Sequence, residues 1–441
     1  MKKHRLFQRF LTLVLVILLA GTTSGCLSHL VDGWPATHDN QTETTRRRPS
    51  RPQSGSGQKD TQIHHEPTLL DPTSSQSQAT AQPTEAPEAV LYPEDLASFD
   101  RLVEQLIRSG LEAGEQAINL DQVCQRHLIT EDVFDEAIDR IFSIYTAYFR
   151  ATPRLFYLDG SFTYLYSFTG DDPPLLHNLS LEPNVWPSFE DWSDEQLWAI
   201  SDQVDAEVKD WVRSIRQTSS NPADQLQELH DQMVRSIAYD ERQRESTNHA
   251  ASALLDQVAL CQGYAQLFQL VSQALGFETS LIIGETDGIG HAWNQVVLDG
   301  RSYHVDVTHD DPLPDGGPDG PVRHVHLLRS DEVMRETHDW DSLAYPACPQ
   351  DGAFYYRTQG LVARTELELA QLLARFLGAQ DWPVRDTLFF ELLWDGVYPI
   401  DEVALDDMLE TALLPWLSDT VLYYRIEQTK RVLLISLSDT P

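Results

Sequence analysis

The chain has 441 residues, 41% of them hydrophobic, which is enough for two or three domains with packed cores. Its 68 acidic against 32 basic side chains give a formal charge of −36, which argues against nucleic acid as a partner and against adhesion to an anionic surface. Four cysteines with no CxxC pair argue against a cysteine-ligated structural zinc.

The first residues read as a targeting signal. Lys2, Lys3, Arg5 and Arg9 precede an apolar run from Phe10 to Ala20 that is too short for a comfortable membrane span. Thr-Ser-Gly-Cys26 follows and resembles a bacterial lipobox. Residues 1–25 are therefore expected to be a signal peptide, with Cys26 the lipidated first residue of an extracytoplasmic protein anchored to the bacterial cell membrane. Residues 26–89 are rich in Ser, Thr, Gln, Pro and Gly, with a basic cluster at Arg46, Arg47, Arg48 and Arg51, and are expected to be a disordered tether.

Residues 90–215 are expected to form a mainly helical accessory module. Amphipathic spacing predicts helices over 93–110 and 130–145, and a long one over 194–216 that leads into the next domain. Aromatic alternation between Pro153 and Phe168 predicts a hairpin pivoting on Asp159-Gly160.

Residues 216–345 hold the chemistry. Cys261 to Gly276 has apolar residues at Tyr264, Leu267, Phe268, Val271 and Leu275, which predicts one helix with Cys261 at its N-terminus. The unpaired N–H groups and positive dipole end there favour a thiolate. Gly263, in the first turn, implies a close approach to the backbone. Thr279 to Gly284 predicts a strand, His291 to Leu298 a second, and Arg301 to Thr308 a third across an Asp299-Gly300 hairpin turn. That turn brings residues near His291 opposite residues near Asp306, so that a carboxylate can orient an imidazole.

Three segments together, Cys261-Gln-Gly-Tyr-Ala, Gly-His291-Ala-Trp-Asn and Tyr-His-Val-Asp306-Val-Thr, resemble the transglutaminase-like superfamily, specifically bacterial extracytoplasmic proteins with the transglutaminase core. The resemblance implies an α+β, papain-like core in which the nucleophile helix packs on an antiparallel sheet. It implies Cys261 as nucleophile, His291 as general base and acid, and Asp306 as orienter. Gly263, Tyr264 and Trp293 are expected to bind substrate. The expected reaction is acyl transfer on a peptide or protein amide, most simply hydrolysis. Cross-linking of glutamine to an amine and a catalytically silent peptide-binding scaffold are the alternatives.

Residues 346–441 are expected to be a small α/β appendage, with helices over 365–378 and 401–417 and strands over 387–393 and 432–437. Cys124 and Cys348 either pair or stay as buried thiols. No cofactor is expected. His304, His309, Asp310, Asp311, His324, His326 and His338 form a His/Asp-rich stretch, but their spacing matches no zinc pattern, and no metal is expected.

Overall fold

The computed structural model describes residues 61–65, 89–170, 173–312, 317–318, 320–352, 354–379, 388–396, 400, 402–413, 423–429 and 431–438. The expected signal peptide, Cys26, the arginine cluster and most of the tether lie outside them. No helix among the described residues is long and apolar enough to cross a membrane.

One piece of the expected tether is ordered differently. Thr61–His65 forms a strand, β1, on the edge of the accessory module's sheet, where a free strand edge offers unpaired backbone groups. Helix α1 (Leu96–Ala113) starts behind Asp95, whose carboxylate accepts from the Ser98 N–H, and α2 (Phe134–Ala151) lies against it. Both cover a sheet ordered β1, β2 (Leu158–Thr169), β3 (Leu175–Val185) and the short strand Ile118–Asn119. Phe99, Val103, Ile138 and Ile141 meet Phe162 and Tyr164 in its core.

The expected hairpin is displaced. Asp159 Oδ1 accepts from the Ser161 N–H at 2.7 Å, making a local kink inside β2 instead of a chain reversal. Gly160 (φ 91°) lies so close to α2 that a Cβ would sit 2.8 Å from Phe149 Cε1. The turn residues therefore form a bulge, with the register shifting between Leu158 and Phe162. Reversal occurs beyond Thr169, after which β3 returns antiparallel.

The expected boundary at 215/216 also moves. Helix α3 (Asp194–Thr218), opened by a Ser193/Gln196 capping box, buries Val204, Val208, Val212 and Ile215 in the central core. There it meets α4 (Pro222–Ser236) and α5 (Cys261–Leu275). The sheet on the other side of α5 contains β4 (Thr279–Thr286), β5 (Ile289–Leu298), β6 (Arg301–Val305), β7 (Leu327–Arg329) and β8 (His338–Asp339). Its order is β7-β6-β5-β4-β8, and every neighbouring pair is antiparallel. Asp299 and Gly300 both take positive φ (52° and 73°), the conformation that two-residue hairpins favour, and set Leu298 opposite Arg301. The core is α+β, a helix packed on an antiparallel sheet, as expected.

The core also runs past 345. Gln295 Nε2 donates to the Pro346 carbonyl at 2.7 Å, and the Cys348 N–H donates to Asp331 Oδ2 at 2.8 Å. Cys348 is thus part of the core while Cys124 sits in the accessory module, and both are buried free thiols. The appendage has α7 (Glu366–Gly378), β9 (Leu388–Trp394), α8 (Glu402–Leu413), β10 (Tyr423–Thr429) and β11 (Val432–Ser438). Its sheet runs Val362–Ala363, β9, β11, β10; β10 was not anticipated.

Candidate active site

Cys261 is the first residue of α5, behind an extended Leu260 that supplies no side-chain cap. The segment 247–249 clamps this start. Thr247 O accepts from the Leu260 N–H at 3.0 Å, and Asn248 Oδ1 accepts from the Gln262 N–H at 3.2 Å. A Cβ on Gly263 would meet the carbonyl oxygens of Thr247 and His249 at 3.1 Å. The close approach anticipated at Gly263 is real, and the chain's own backbone makes it. Cys261 is 8% exposed, at the helix end where the dipole favours an anion.

His291 stands on β5 opposite Gly284 of β4. Strand β6 stops at Val305, earlier than expected, because Asp306 caps the four-residue helix α6 (Val307–Asp310) and accepts from the His309 N–H. In that position Asp306 Oδ2 lies 2.9 Å from His291 Nε2. Cys261 packs with Ala292, the neighbour of His291 on β5, and the thiol favours the charged form of that imidazole. Burial opposes a charge on His291, yet the Asp306 carboxylate and the Cys261 contact outweigh it and hold its pKa up to about 10. Asp306, despite complete burial, is held well below the usual carboxylate range by His309 and His291. Cysteine, imidazole and carboxylate thus lie together, an arrangement able to generate a thiolate and to deliver a proton.

Tyr264 and Trp293 are each 1% exposed and face inward. The Tyr264 hydroxyl donates to the Ile237 carbonyl at 3.0 Å and contacts Asp311 Oδ2. Trp293 donates its Nε1–H to His304 Nδ1 at 3.0 Å and lies parallel to the His291 ring, 18° between planes. With Gly263 they hold the site from within, where a substrate contact was expected. Asn294 ties the nucleophile helix to the sheet by donating to the Ala265 carbonyl at 3.0 Å. Gln269 ties it to the accessory module through the Arg150 carbonyl at 2.8 Å.

Two groupings had no signature in sequence spacing. His309 Nδ1 and His338 Nε2 join His291 on Asp306 Oδ2, at 2.5 and 3.0 Å. Burial, together with the neighbouring His309 and His291, pushes His338 down to about 2, so its ring is neutral. Behind α6, Asp310 binds His230 Nε2 (3.1 Å) and His326 Nδ1 (2.9 Å). From His230 the chain of contacts continues through Asp231 (3.0 Å) to His324 (2.9 Å) and Glu391 of the appendage. His304 bonds to neither grouping, with its Nε2 2.8 Å from Asp331 and its Nδ1 accepting from Trp293.

Residues 209–307 match the family model of the transglutaminase-like superfamily. No curated protein matches the chain. Among solved structures, a TGase is 15% identical, with a TM-score of 0.26, over 46% of this chain and 60% of that one. A candidate cysteine protease from Cytophaga hutchinsonii is 14% identical, TM-score 0.23, over 34% of this chain and 63% of that one. A candidate protease from Parabacteroides distasonis ATCC 8503 is 9% identical, TM-score 0.20, over 62% of this chain and 60% of that one. The chain therefore spans about three fifths of the length of each of these solved proteins. The matched segment runs from the second half of α3 through Cys261, His291 and Asp306, and in it this chain is similar to the core domain of the transglutaminase-like superfamily.

Proposed function

We propose that the chain is an exported cysteine enzyme that transfers the acyl group of a peptide or protein amide to water. What carries the reading is Cys261 at the start of α5, packed against Ala292 beside His291, whose Nε2 lies 2.9 Å from Asp306 Oδ2. The Cys261 thiolate attacks the amide carbon, and amide N–H groups at the start of α5 stabilise the oxyanion. The C–N bond then breaks as His291, cationic beside Asp306, gives a proton to the leaving amine. Water attacks the resulting thioester with His291 as base, releasing a carboxylic acid and restoring Cys261. Asp306 holds the ring and stabilises its charge throughout.

Water is the favoured second nucleophile because cross-linking needs an amine-specific site, and no residue pattern in the chain suggests one. The basic start, short apolar run and Cys26 support export and attachment to the membrane by a lipid on Cys26. The test is product analysis with a glutamine-containing peptide, with and without a primary amine. Peptide fragments or deamidated glutamine in both reactions support hydrolysis. An amine adduct as the dominant product overturns the choice of water, and absence of turnover across a peptide library overturns the enzyme reading.

A further inference from the structure

The surroundings of Asp306 exceed what a carboxylate needs in order to orient one histidine. Three imidazole nitrogens from three separate elements converge on a single oxygen: His291 Nε2 at 2.9 Å, His309 Nδ1 at 2.5 Å and His338 Nε2 at 3.0 Å from Oδ2. Among the described residues, the other oxygen receives the His309 backbone N–H, at 3.3 Å. All four side chains are at least nine-tenths buried, with His309 at the rim, 10% exposed. Their ligating atoms lie within 4.8 Å of one another.

This is a donor set for a borderline-soft divalent ion. Tetrahedral Zn²⁺ with bonds of about 2.0–2.1 Å places its ligands roughly 3.3 Å apart, so the three contacts to Oδ2 need to open by about 0.3 to 0.8 Å. Imidazole nitrogens with one carboxylate oxygen suit zinc over calcium or magnesium, which take oxygen ligands. Thr337 Oγ1, 2.9 Å from His338 Nδ1, orients one ring from outside, as second-layer partners do at metal sites. The other nitrogen of His309, Nε2, is buried with no hydrogen-bond partner among the described residues. A chain of formal charge −36 also concentrates cations around itself.

We propose that His291, Asp306, His309 and His338 bind a Zn²⁺-class ion, and that the bound ion silences Cys261. This inference rests on the functional reading above for its second half alone. Four protein ligands close the coordination sphere, so the ion has no open position for substrate or water and performs no Lewis-acid step. It occupies His291 Nε2 and Asp306 Oδ2, the two atoms whose contact supports the imidazolium. The proton on Nε2 leaves to solvent when the ion binds. The ring then keeps only its Nδ1 proton and is no longer an imidazolium, so it cannot serve as the acid for the leaving amine.

The test titrates Zn²⁺ into the purified chain against a chromophoric chelator, while hydrolysis of a glutamine-containing peptide is followed in parallel. The proposal expects one ion bound equally by wild type and by Cys261→Ala. Binding should weaken by roughly 100-fold in His309→Gln and in His338→Gln, each a lost ligand. It should be unaltered in His230→Gln and Cys348→Ala, which belong to other clusters. Zinc should slow turnover by at least about tenfold, reversibly with EDTA, because the imidazolium that protonates the leaving amine is lost. Each variant is compared with its own metal-free rate. Binding that disappears in Cys261→Ala, or persists in both His309→Gln and His338→Gln, overturns the site. If Cys261 proves unreactive even without zinc, the functional reading fails while the chelator titration still decides the site.

Discussion

Gly284→Ala probes how the sheet holds the base. Gly284 pairs with His291 across β4 and β5, and an added Cβ would lie 2.7 Å from Trp293 Cη2 and 3.0 Å from Cζ3. Carbon atoms rest roughly 3.5–4.0 Å apart, so the first contact falls about 1 Å short. The Asp339 carbonyl oxygen would be closer still, and as backbone in β8 it cannot rotate aside. Trp293 is equally confined, since His304 accepts its Nε1–H and its face lies along His291. Overpacking of this kind costs about 1–3 kcal/mol, and a backbone obstacle places this case near 3. At about 2–4 °C per kcal/mol for a domain of this size, the melting temperature should fall by roughly 6–12 °C. Displacement passed through Trp293 to His291 should also slow Cys261 labelling, by up to about 100-fold for a shift near 1 Å. Gly290→Ala on the neighbouring strand is the control: nothing lies within 4 Å of its Cβ, and its stability should stay within about 0.5 kcal/mol of wild type. A Gly284→Ala protein that melts within about 1 °C of wild type would refute the packing argument.

Three further outcomes concern pH. His324, between Asp231 and Glu391, is held up to about 10 although burial opposes its charge. A raised histidine contributes stability that is complete below its unfolded value of 6.5 and is lost as pH rises through about 10, so the melting temperature should decline across that interval and decline less in His324→Gln. Asp231 and Asp310 are depressed by their histidine partners against burial, so their contribution is complete above the ordinary carboxylate value of 3.8 and is lost on acidification below it. A melting temperature that climbs from pH 7 to 10 would contradict the first assignment. For turnover, His291 must remain protonated to serve the leaving amine, so the alkaline limb of the rate profile should lie near 10. An alkaline limb near 6.5 would mean that Asp306 does not hold the charge.

What could be read from sequence was local. The α5 periodicity, the Gly276 stop and the Asp299-Gly300 turn are each encoded within a few residues, and all three form as expected. With Asp306 as the cap of α6, they bring Cys261, His291 and Asp306 together. Asp159-Gly160 carries an equally good turn signal, but packing against Phe149 made it a bulge, so tertiary context overrode local chemistry. The α3 helix was legible as a helix, while its membership of the core depended on which neighbours its valines met. The rings around Asp306 come from β5, α6 and β8, and Glu391 reaches His324 across 67 positions. No spacing rule spans elements that only the fold makes adjacent.

The central claim is that His291 activates Cys261 and no other thiol. Its most direct test is the iodoacetamide rate at each cysteine, mapped by mass spectrometry, in wild type and in His291→Ala. Burial pushes the Cys124 and Cys348 thiols up to about 12, so neither should label near neutral pH in the folded protein. The account predicts fast labelling at Cys261 in wild type that falls to the rate of an ordinary thiol, or below, in His291→Ala. A Cys261 rate unchanged by the loss of His291 would contradict it.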